Sequence, residues 1–312
     1  MSIALEVQDL TKTYKNGKHA LQGVSLAVPE GSFFALLGPN GAGKSTLINI
    51  LADTVKPTSG SVQFLGRSLF DERSWCKRRL GVVPQEVAFD PFFAPRDILK
   101  INSGMFGVKP DLIWIEELLE RLELAEHAHK NARQLSGGMR RRLLVAQALV
   151  HKPKVVILDE PTAGVDVELR KRLWDFMREL NANGTTILLT THYLEEAEEL
   201  CDQVAIIDQG KLLTSQPMKN LLSSVGSSSL VLQYQHPVVL SEHAHHKLAD
   251  FVPRILKNAV HLSLKKDADG NSNFNDVYQA AIACFGEAQN VSIQDEDLED
   301  VFLRLTHNGV QS

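Results

Sequence analysis

The sequence predicts an α/β protein whose core is a parallel β-sheet, followed by a smaller α+β domain. Short apolar runs alternate with helix-like segments, and one of them, Phe33–Leu37, leads into a glycine-rich turn. Continuous apolar runs are typical of strands that are buried on both faces of a parallel sheet. The stretch GSSS at 226–229 has the composition of a linker. We therefore expect a first domain at 1–225 and a second at 230–312.

Within the first domain, the pattern of apolar residues changes between the start and the middle of the chain. Two extended runs, at 4–7 and 24–28, precede the core strand. After residue 85 the spacing of apolar residues approaches the helical period, which predicts a helical subdomain at about 86–150. The apolar residues that carry this pattern are Ile113, Leu118, Leu119, Leu122 and Leu124. A helix at 167–182 and a strand at 185–190 return the chain to the α/β core.

The second domain shows strand-like and helix-like segments but no motif with a chemical meaning. Its ends are the linker and the chain terminus. The apolar and β-branched runs predict strands at 230–234, 259–264 and 290–294, and the helical patterns predict helices at 274–285 and 298–305. This mixture predicts an α+β accessory domain that takes part in assembly or regulation rather than in chemistry.

The stretch GPNGAGKST at 38–46 is a phosphate-binding loop, because it fits GxxxxGK[ST] between a strand and a helix. Its glycines let the backbone aim N–H groups at an anion, and the helix that follows presents its positive end. We expect Lys44 to reach the β- and γ-phosphates and Ser45 to hold Mg²⁺. The expected nucleotide-binding residues are Gly38, Pro39, Asn40, Gly41, Ala42, Gly43, Lys44, Ser45 and Thr46.

Two carboxylates follow the apolar run at 155–158, at the strand end where open α/β sheets form their ligand crevice. Asp159 is the expected Mg²⁺ ligand, because an aspartate at this strand end takes that role in P-loop enzymes. Glu160 lies one residue further and is the expected general base for the attacking water. Two solvated carboxylates would not explain why Pro161 and Thr162 turn the chain at once.

A third strand-like run ends in Thr190, Thr191 and His192, at the same sheet edge. A histidine after a strand is, on its own, more often a packed or surface residue than a catalytic one. Together with the phosphate loop and the two carboxylates, His192 is expected to donate a hydrogen bond to the γ-phosphate. Such a bond strengthens as charge develops in the transition state.

The stretch LSGGM at 135–139 resembles the LSGGQ signature of ATP-binding cassette (ABC) proteins, with Met139 where glutamine is usual. Methionine at this place occurs in the drug-export branch of the family. The resemblance implies a P-loop NTPase with a RecA-like core, an antiparallel β subdomain and a helical signature subdomain. It also implies ATP and Mg²⁺ as ligands, Gln85 as a catalytic and metal-binding residue, and Tyr14 as the aromatic residue that stacks on adenine.

The signature has a physical meaning of its own, because it opens a long helical stretch and offers a hydroxyl and free N–H groups there. In ABC proteins this second anion site serves the nucleotide of a partner subunit. The resemblance therefore places four residues on the nucleotide in trans: Ser136, Gly137, Gly138 and Asp166. The chain holds one phosphate loop, one signature and no internal repeat, so we expect half of a dimer, with an identical partner as the simplest case.

The ending LEDVFL at 298–303 resembles that of the daunorubicin-resistance ATPases, which belong to the ABC-2 exporters. No run reaches the roughly 18 apolar residues of a membrane helix, so a separate ABC-2 type permease is expected as partner. The three cysteines are odd in number and lack CxxC spacing, which is typical of reduced thiols. We expect a cytoplasmic protein that is peripheral on the cytoplasmic face of the inner (plasma) membrane.

Charge argues against nucleic acid as a partner, because the net charge is −5 and the pI is near 6.1. The alternative is an ABC-type ATPase that acts on nucleic acid or the ribosome, and long coiled coils, zinc-binding cysteines or a second cassette would favour it. The chain shows none of these in its sequence. A regulatory module that does not hydrolyse ATP is disfavoured by the presence of Glu160 and His192.

Four side-chain clusters receive simpler interpretations. The arginines at 140–142 are interpreted mainly as a solvated or phosphate-facing surface. The glutamates at 195–199 are interpreted as a solvated helix face. His243, His245 and His246 predict a surface tract rather than a metal site, because they lack helical i, i+4 spacing. Two interpretations stay open for Phe89, Phe92 and Phe93: core of the helical subdomain, or a groove for a membrane partner.

Overall fold

The computed structural model describes residues 2–84, 90–162, 165–225, 228–239, 244, 247–251, 253–264, 273–295 and 298–307. The chain divides into two compact units, of which the first ends at Met218 and the second begins at Lys219. This boundary lies seven residues before the stretch that the sequence predicts as a linker. Among the described residues, no helix combines the length and apolar composition that crossing a membrane requires.

The first unit contains ten strands and seven complete helices among its described residues. Its strands are β1 (Ile3–Thr13), β2 (His19–Pro29), β3 (Phe33–Leu37), β4 (Ser59–Phe64), β5 (Arg67–Ser68), β6 (Leu80–Val83), β7 (Val155–Asp159), β8 (Thr186–Thr190), β9 (Gln203–Asp208) and β10 (Lys211–Pro217). Its helices are α1 (Lys44–Leu51), α2 (Arg73–Lys77), α3 (Pro95–Met105), α4 (Leu112–Arg121), α5 (Gly137–Leu149), α6 (Val167–Ala182) and α7 (Leu194–Leu200). An eighth helix, α8 (Met218–Val225), begins at the boundary between the units.

Two sheets form the frame of the first unit. Strands β2, β1, β4 and β5 make an antiparallel sheet in that order, and a six-stranded sheet has the order β10-β9-β3-β8-β7-β6. Within the six-stranded sheet, β9 to β6 are parallel and β10 pairs antiparallel at one edge. Every residue of β3, β7 and β8 is buried, as the continuous apolar runs predict. Because β3, β8 and β7 are adjacent and parallel, their carboxyl ends lie side by side.

The helical subdomain is formed by α3, α4 and α5, and one predicted core position in it is wrong. Leu118 and Leu119 are fully buried on α4, whereas Ile113 is 83% exposed and Ile115 is buried instead. Ile115 and Leu119 are four residues apart and lie on one face of the helix, while Ile113 lies two positions before Ile115 and points to the other side. A simple count of apolar residues does not distinguish these two faces.

His151 lies in the core of the first unit, where a pH-dependent contribution to stability is expected from it. Its ring stacks on Phe106 with centroids 3.7 Å apart, and its Nε2 is 3.1 Å from the carbonyl oxygen of Leu80. Burial lowers the pKa of His151 below its ordinary value of 6.5, and the Leu80 carbonyl partly opposes this change. The buried ring is therefore favoured in its neutral form.

We expect the free energy of unfolding to fall as the pH drops below about 6.5, because the unfolded chain then protonates His151 before the folded chain does. The loss reaches at most about 1.4 kcal/mol per pH unit. Denaturant unfolding of the wild type and of His151→Gln, whose amide still donates to Leu80, measures it at pH 7.5 and 5.5. The variant should lose less stability over this interval, and equal losses would contradict the prediction.

The second unit contains an antiparallel sheet with the order β12-β13-β11-β14. Its elements are β11 (Ser228–Gln233), β12 (Arg254–Leu256), β13 (Ala259–Ser263), α9 (Phe274–Phe285), β14 (Asn290–Asp295) and α10 (Leu298–His307). The side chains of Leu230, Leu232, Val260 and Val277 are completely buried in its core. Three of these strands and both helices lie within two residues of the bounds that the sequence predicts.

The predicted linker at 226–229 is wrong for its second half. Ser228 and Ser229 are the first residues of β11, because they pair with Asp295 and Gln294 of β14. A serine is a common linker residue, but its hydroxyl does not prevent its backbone from joining a ladder of hydrogen bonds. Residues 226–227 lie outside the described part of the chain.

Candidate active site

The phosphate loop connects β3 to α1 and is held close to neighbouring backbone. A Cβ atom on Gly38 would lie 2.2 Å from the carbonyl oxygen of Ile207, and one on Gly43 would lie 2.5 Å from that of Ala20. Gly43 also caps α1 with a φ of 111°, in the region that side-chain-bearing residues rarely adopt. These two glycines are therefore required by the close approach of the loop to the sheets.

The loop opens into a cavity of about 240 Å³ that collects most of the predicted nucleotide-binding residues. The residues that line it are Tyr14, Lys18, Ala20, Asn40, Gly41, Ala42, Gly43, Lys44, Ser45, Thr46, Asp159 and Glu160. Gly38 and Pro39 contact the site differently, because their carbonyl oxygens accept hydrogen bonds from Lys44. The sequence did not single out Lys18 or Ala20, which reach the cavity because β2 runs beside the loop.

Lys44 is held inside the loop by hydrogen bonds of 2.6 and 3.1 Å from its Nζ to the carbonyl oxygens of Gly38 and Pro39. Burial lowers the pKa of Lys44, whereas the nearby carboxylates of Glu160 and Asp159 raise it. The ammonium group is thus partly desolvated, and an anion in the cavity gains a stronger interaction with it than it would in water.

Asp159 is buried at the end of β7 and is oriented by Thr190, for which the sequence pattern predicts no role. The Thr190 hydroxyl donates to Asp159 Oδ1 at 2.6 Å, and Asp159 and Thr190 are paired across β7 and β8. The hydroxyl fixes one carboxylate oxygen by a short charge-assisted bond. The sequence feature that could have indicated this role is the position of Thr190 at the end of the parallel strand next to β7.

Glu160 and His192 lie together, as the shared sheet edge predicts. The two side chains approach to 3.7 Å, between His192 Nδ1 and Glu160 Oε2. Glu160 has a φ of 50°, and its N–H donates to the carbonyl oxygen of Thr190 at 3.0 Å. Its side chain is 23% exposed at the cavity and that of His192 is 51% exposed. Both groups are accessible to a ligand and to water.

The signature motif caps α5 but does not contribute to this cavity. Ser136 is the N-cap of α5, and its Oγ accepts a hydrogen bond of 3.2 Å from the N–H of Met139. Asp166 caps α6 in the same way, by accepting from the N–H of Leu169 at 3.0 Å. Both caps are exposed to solvent, and neither Asp166 nor any residue of 135–139 lines the cavity. Gln85 lies outside the described residues, so its role stays a prediction.

The arginine run at 140–142 is not a solvated surface, and this interpretation is wrong. Arg141 and Arg142 are 5% and 9% exposed, and their guanidinium groups donate to backbone carbonyl oxygens. Arg140, which is only partly exposed, donates to the carbonyl oxygens of Leu135 and Arg133 at 3.0 Å. A guanidinium group carries five N–H donors, so it can donate to several backbone carbonyl oxygens that have no hydrogen-bond partner within a helix or sheet.

The interpretation of the glutamates at 195–199 as a solvated face is wrong for one member. Glu196 is 6% exposed and accepts hydrogen bonds from the hydroxyls of Thr162, at 3.1 Å, and Thr191, at 2.9 Å. Arg170 lies 3.4 Å away and supplies the opposite charge. Because Thr162 and Arg170 come from other segments of the chain, the local run of charges does not predict that Glu196 is buried.

The aromatic residues before α3 are largely exposed. Phe92 and Phe93 are 71% and 44% exposed, which rules out the interpretation that they form core of the helical subdomain. Phe89 lies outside the described residues. On α3, Ile101 and Met105 are four residues apart and are 45% and 79% exposed. We call these four exposed side chains the apolar face of the helical subdomain.

Tyr14 lines the cavity next to the phosphate loop, with its hydroxyl 3.3 Å from Thr46 Oγ1. We expect Tyr14→Ala to raise the dissociation constant for ATP by about 5- to 150-fold, because stacking of a base on an aromatic ring is worth about 1–3 kcal/mol. Binding of a fluorescent ATP analogue measures the effect. Tyr14→Phe keeps the ring and should bind nearly as the wild type does. Equal losses in both variants would contradict stacking.

Comparison with known proteins identifies the family. The ABC transporter family model matches residues 21–163. A Nod factor export ATP-binding protein I of Burkholderia thailandensis is 36% identical, and the alignment covers 100% of both chains. The chain belongs to the ABC transporter family. A daunorubicin resistance ATP-binding protein of Streptomyces coeruleorubidus is 34% identical, over 97% of this chain and 96% of that protein. The resemblance to ABC-2 type exporter ATPases is thus confirmed.

Solved ABC structures confirm the predicted α/β, P-loop fold of the cassette. An ATP-binding subunit of an ABC transporter matches with a TM-score of 0.67 and 27% identity, over 72% of this chain and 93% of the other. A dimeric ATP-binding cassette in a post-hydrolysis state with ADP and Pi matches with a TM-score of 0.64 and 26% identity, over 69% and 98%. The family and the cavity together make this ABC protein an ATPase.

Proposed function

We propose that this ABC ATPase drives an exporter, by dimerising head to tail and acting on a separate ABC-2 type permease. One observation carries the proposal: the chain assembles a phosphate loop and two carboxylates in one cavity, while its signature caps a solvent-exposed helix outside that cavity. An anion-binding helix terminus that lies outside the chain's own cavity fits the nucleotide of a second cassette. The name of the Nod factor export protein supports export as the direction of transport.

The residues that line the cavity and His192, which lies beside Glu160, carry out separate parts of ATP hydrolysis. The N–H groups of the phosphate loop and Lys44 bind the phosphates and stabilise the charge that develops on them. Glu160 accepts the proton of the attacking water, and His192, 3.7 Å from it, donates to the γ-phosphate. Thr190 donates to Asp159 at 2.6 Å, which orients this carboxylate in the cavity.

The oxygen donors at the loop fit Mg²⁺. Ser45 and Asp159 line the same cavity, and a hydroxyl together with a carboxylate is the kind of donor set that this ion takes when phosphates and water complete its shell. No cluster of three histidine, cysteine or acidic side chains suited to a metal occurs in the part of the chain that the structure describes. Ser45, Asp159 and, by resemblance, Gln85 would hold the ion, which neutralises phosphate charge.

The second nucleotide contact comes from the opposing chain in this proposal. Ser136, Gly137 and Gly138 would bind the γ-phosphate of the partner's ATP, with Asp166 nearby on the next exposed helix cap. Each chain then supplies one hydrolytic cavity and one signature. Two identical chains complete two such sites, which is why a homodimer is the simplest assembly.

The apolar face of the helical subdomain is the proposed contact with the permease. Its four apolar side chains are 44% to 79% exposed, which would be an unfavourable surface in isolation. The protein would thereby be peripheral on the cytoplasmic side of the membrane, touching it through the permease. The second unit is assigned to assembly or regulation, since none of its described residues lines the cavity.

Copurification with an ABC-2 type permease from the same cells tests the proposal. Detergent-solubilised membranes should yield a complex of both proteins, and Met105→Asp should reduce its recovery. Ile113→Asp is the matched control, because Ile113 is 83% exposed and lies on α4 rather than on the apolar face. Recovery with nucleic acid or ribosomes, and none with the permease, would favour the alternative function.

A further inference from the structure

We infer that Arg141 is a positioning residue for ATP hydrolysis, which holds the backbone that carries the general base. The inference rests on the role of Glu160 in the proposed function. Arg141 lies in the second turn of α5, two residues after the signature, and its side chain is buried in the core. The sequence gives no local sign of this contact, since the run 140–142 has the composition of a surface patch.

The guanidinium group of Arg141 contacts two different strand ends. One nitrogen, Nη2, donates to the carbonyl oxygen of Glu160 at 2.8 Å and also to that of Asp159. The other, Nη1, donates to the carbonyl oxygen of Pro84. Pro84 follows β6 and directly precedes Gln85. One side chain therefore holds the backbone just after β6 and at the end of β7, close in sequence to the predicted catalytic residues Gln85 and Glu160.

Burial makes these contacts strong and difficult to replace. Arg141 is 5% exposed. Burial lowers the pKa of its guanidinium group, whereas Asp159 and Glu160 raise it. Hydrogen bonds from a charged donor are roughly twice as strong as neutral ones. The planar fork of arginine serves several carbonyls at once, and an ammonium group on a flexible stem does not reproduce this geometry.

Glu160 needs such support because its backbone adopts an uncommon conformation. Its φ of 50° lies in the left-handed region, where residues with a side chain persist only if their surroundings hold them. The carbonyl oxygen of Thr190 accepts from the N–H of Glu160 at 3.0 Å, and Arg141 donates to the carbonyl oxygen of Glu160. The residue is thus held on both sides, and its carboxylate is directed into the cavity. A displacement of about 1 Å in such a group costs about 10²-fold in rate.

The neighbouring arginine provides a matched control. Arg142 is 9% exposed and donates to the carbonyl oxygen of Leu122 at 2.7 Å and to that of Glu123 at 3.3 Å. Neither carbonyl belongs to a strand that carries a catalytic residue. The two arginines therefore share residue type, helix and burial, and they differ in which backbone they hold.

The test compares Arg141→Lys with Arg142→Lys in steady-state ATP hydrolysis by the isolated full chain. We expect Arg141→Lys to lower kcat by about 10- to 100-fold, with the KM and the dissociation constant for ATP changed less than about threefold. Arg142→Lys should keep kcat within about threefold of the wild type, even if its Tm falls as much as that of Arg141→Lys. A kcat loss of the same size in both variants, or an unchanged kcat in Arg141→Lys, would overturn the inference.

A double-mutant cycle separates positioning of Glu160 from a general loss of structure. In a Glu160→Gln background, Arg141→Lys should cause little further loss of the residual turnover, because the group that it positions is already gone. A full additive loss would show that Arg141 acts elsewhere. If Arg141→Lys does not fold, Arg141→Met replaces it, since this side chain fills similar space without a buried charge and donates to neither the Asp159 nor the Glu160 carbonyl. Wild-type kcat in that variant would overturn the inference.

The same cycle distinguishes this inference from the proposed function. If Glu160→Gln itself leaves turnover unchanged, the general base is assigned wrongly and the proposed mechanism fails. If Glu160→Gln lowers turnover and Arg141→Lys does not, only the inference about Arg141 fails. No permease is needed in either measurement, so the exporter role does not affect the outcome.

Discussion

Replacing Glu160 with glutamine is expected to lower ATP turnover by roughly 10²–10⁴-fold and to leave ATP binding nearly intact. The amide has the shape of the carboxylate but cannot accept the proton of the attacking water. Glu160 lines the cavity, and its backbone is fixed by Thr190, so the substitution should not displace the loop. Phosphate release and binding of a fluorescent ATP analogue measure the two quantities on one preparation.

Glu195→Gln is the control for this prediction. Glu195 is exposed on α7 and lies outside the cavity, so the same change of charge there should leave turnover unchanged. A Glu160→Gln protein that hydrolyses ATP within a few-fold of the wild type would require another base. A protein that loses ATP binding instead would indicate that Glu160 supports the structure of the loop.

Gly43→Ala is expected to lower the affinity for ATP by roughly 10²-fold, with turnover lost at ordinary ATP concentrations. The added Cβ would lie 2.5 Å from the carbonyl oxygen of Ala20 and 3.0 Å from a methyl of Leu21. The backbone must move to relieve this contact, and Gly43 caps the helix whose N–H groups are predicted to bind the phosphates. A shift of about 1 Å at such a position is enough for a loss of this size.

Gly66→Ala separates the steric effect from backbone strain. Gly66 has a φ of 75°, but a Cβ there meets no heavy atom within 4 Å, and it does not line the cavity. Isothermal titration with ATP and thermal unfolding are measured for both variants. Both should lose some stability, and only Gly43→Ala should lose affinity. ATP binding by Gly43→Ala at wild-type affinity would contradict the requirement for glycine at this position.

The sequence was a reliable guide to elements with strong local signals. The helix predicted at 167–182 is α6, with the same bounds, because Asp166 caps it and its apolar residues repeat with the helical period. The phosphate loop and the residues after β7 and β8 could be placed at one sheet edge, because parallel strands end on the same side. Polar residues that follow buried strands therefore predicted most of the cavity.

The features that could not be predicted depend on partners far away in the chain. Arg141 contacts carbonyls at Pro84, 57 positions away, and at Glu160, 19 positions away. The buried Glu196 carboxylate accepts a hydrogen bond from the hydroxyl of Thr162, which lies 34 positions earlier in the chain. Long side chains can carry a charge into the interior when backbone or hydroxyl groups receive it, and a local run of charges does not show this. Thr190 is a similar case, since its role depends on strand register.

The central claim is that ATP joins two of these chains, and the mass of Glu160→Gln in solution tests it most directly. Size-exclusion chromatography with light scattering gives this mass with and without Mg-ATP. Slow hydrolysis leaves ATP in place, so the 34.6 kDa chain should shift to twice that mass when Mg-ATP is added. Adding Ser136→Arg, which places bulk and charge where the partner's γ-phosphate docks, should restore the monomer. A Glu160→Gln protein that binds Mg-ATP and stays monomeric would contradict the head-to-tail dimer.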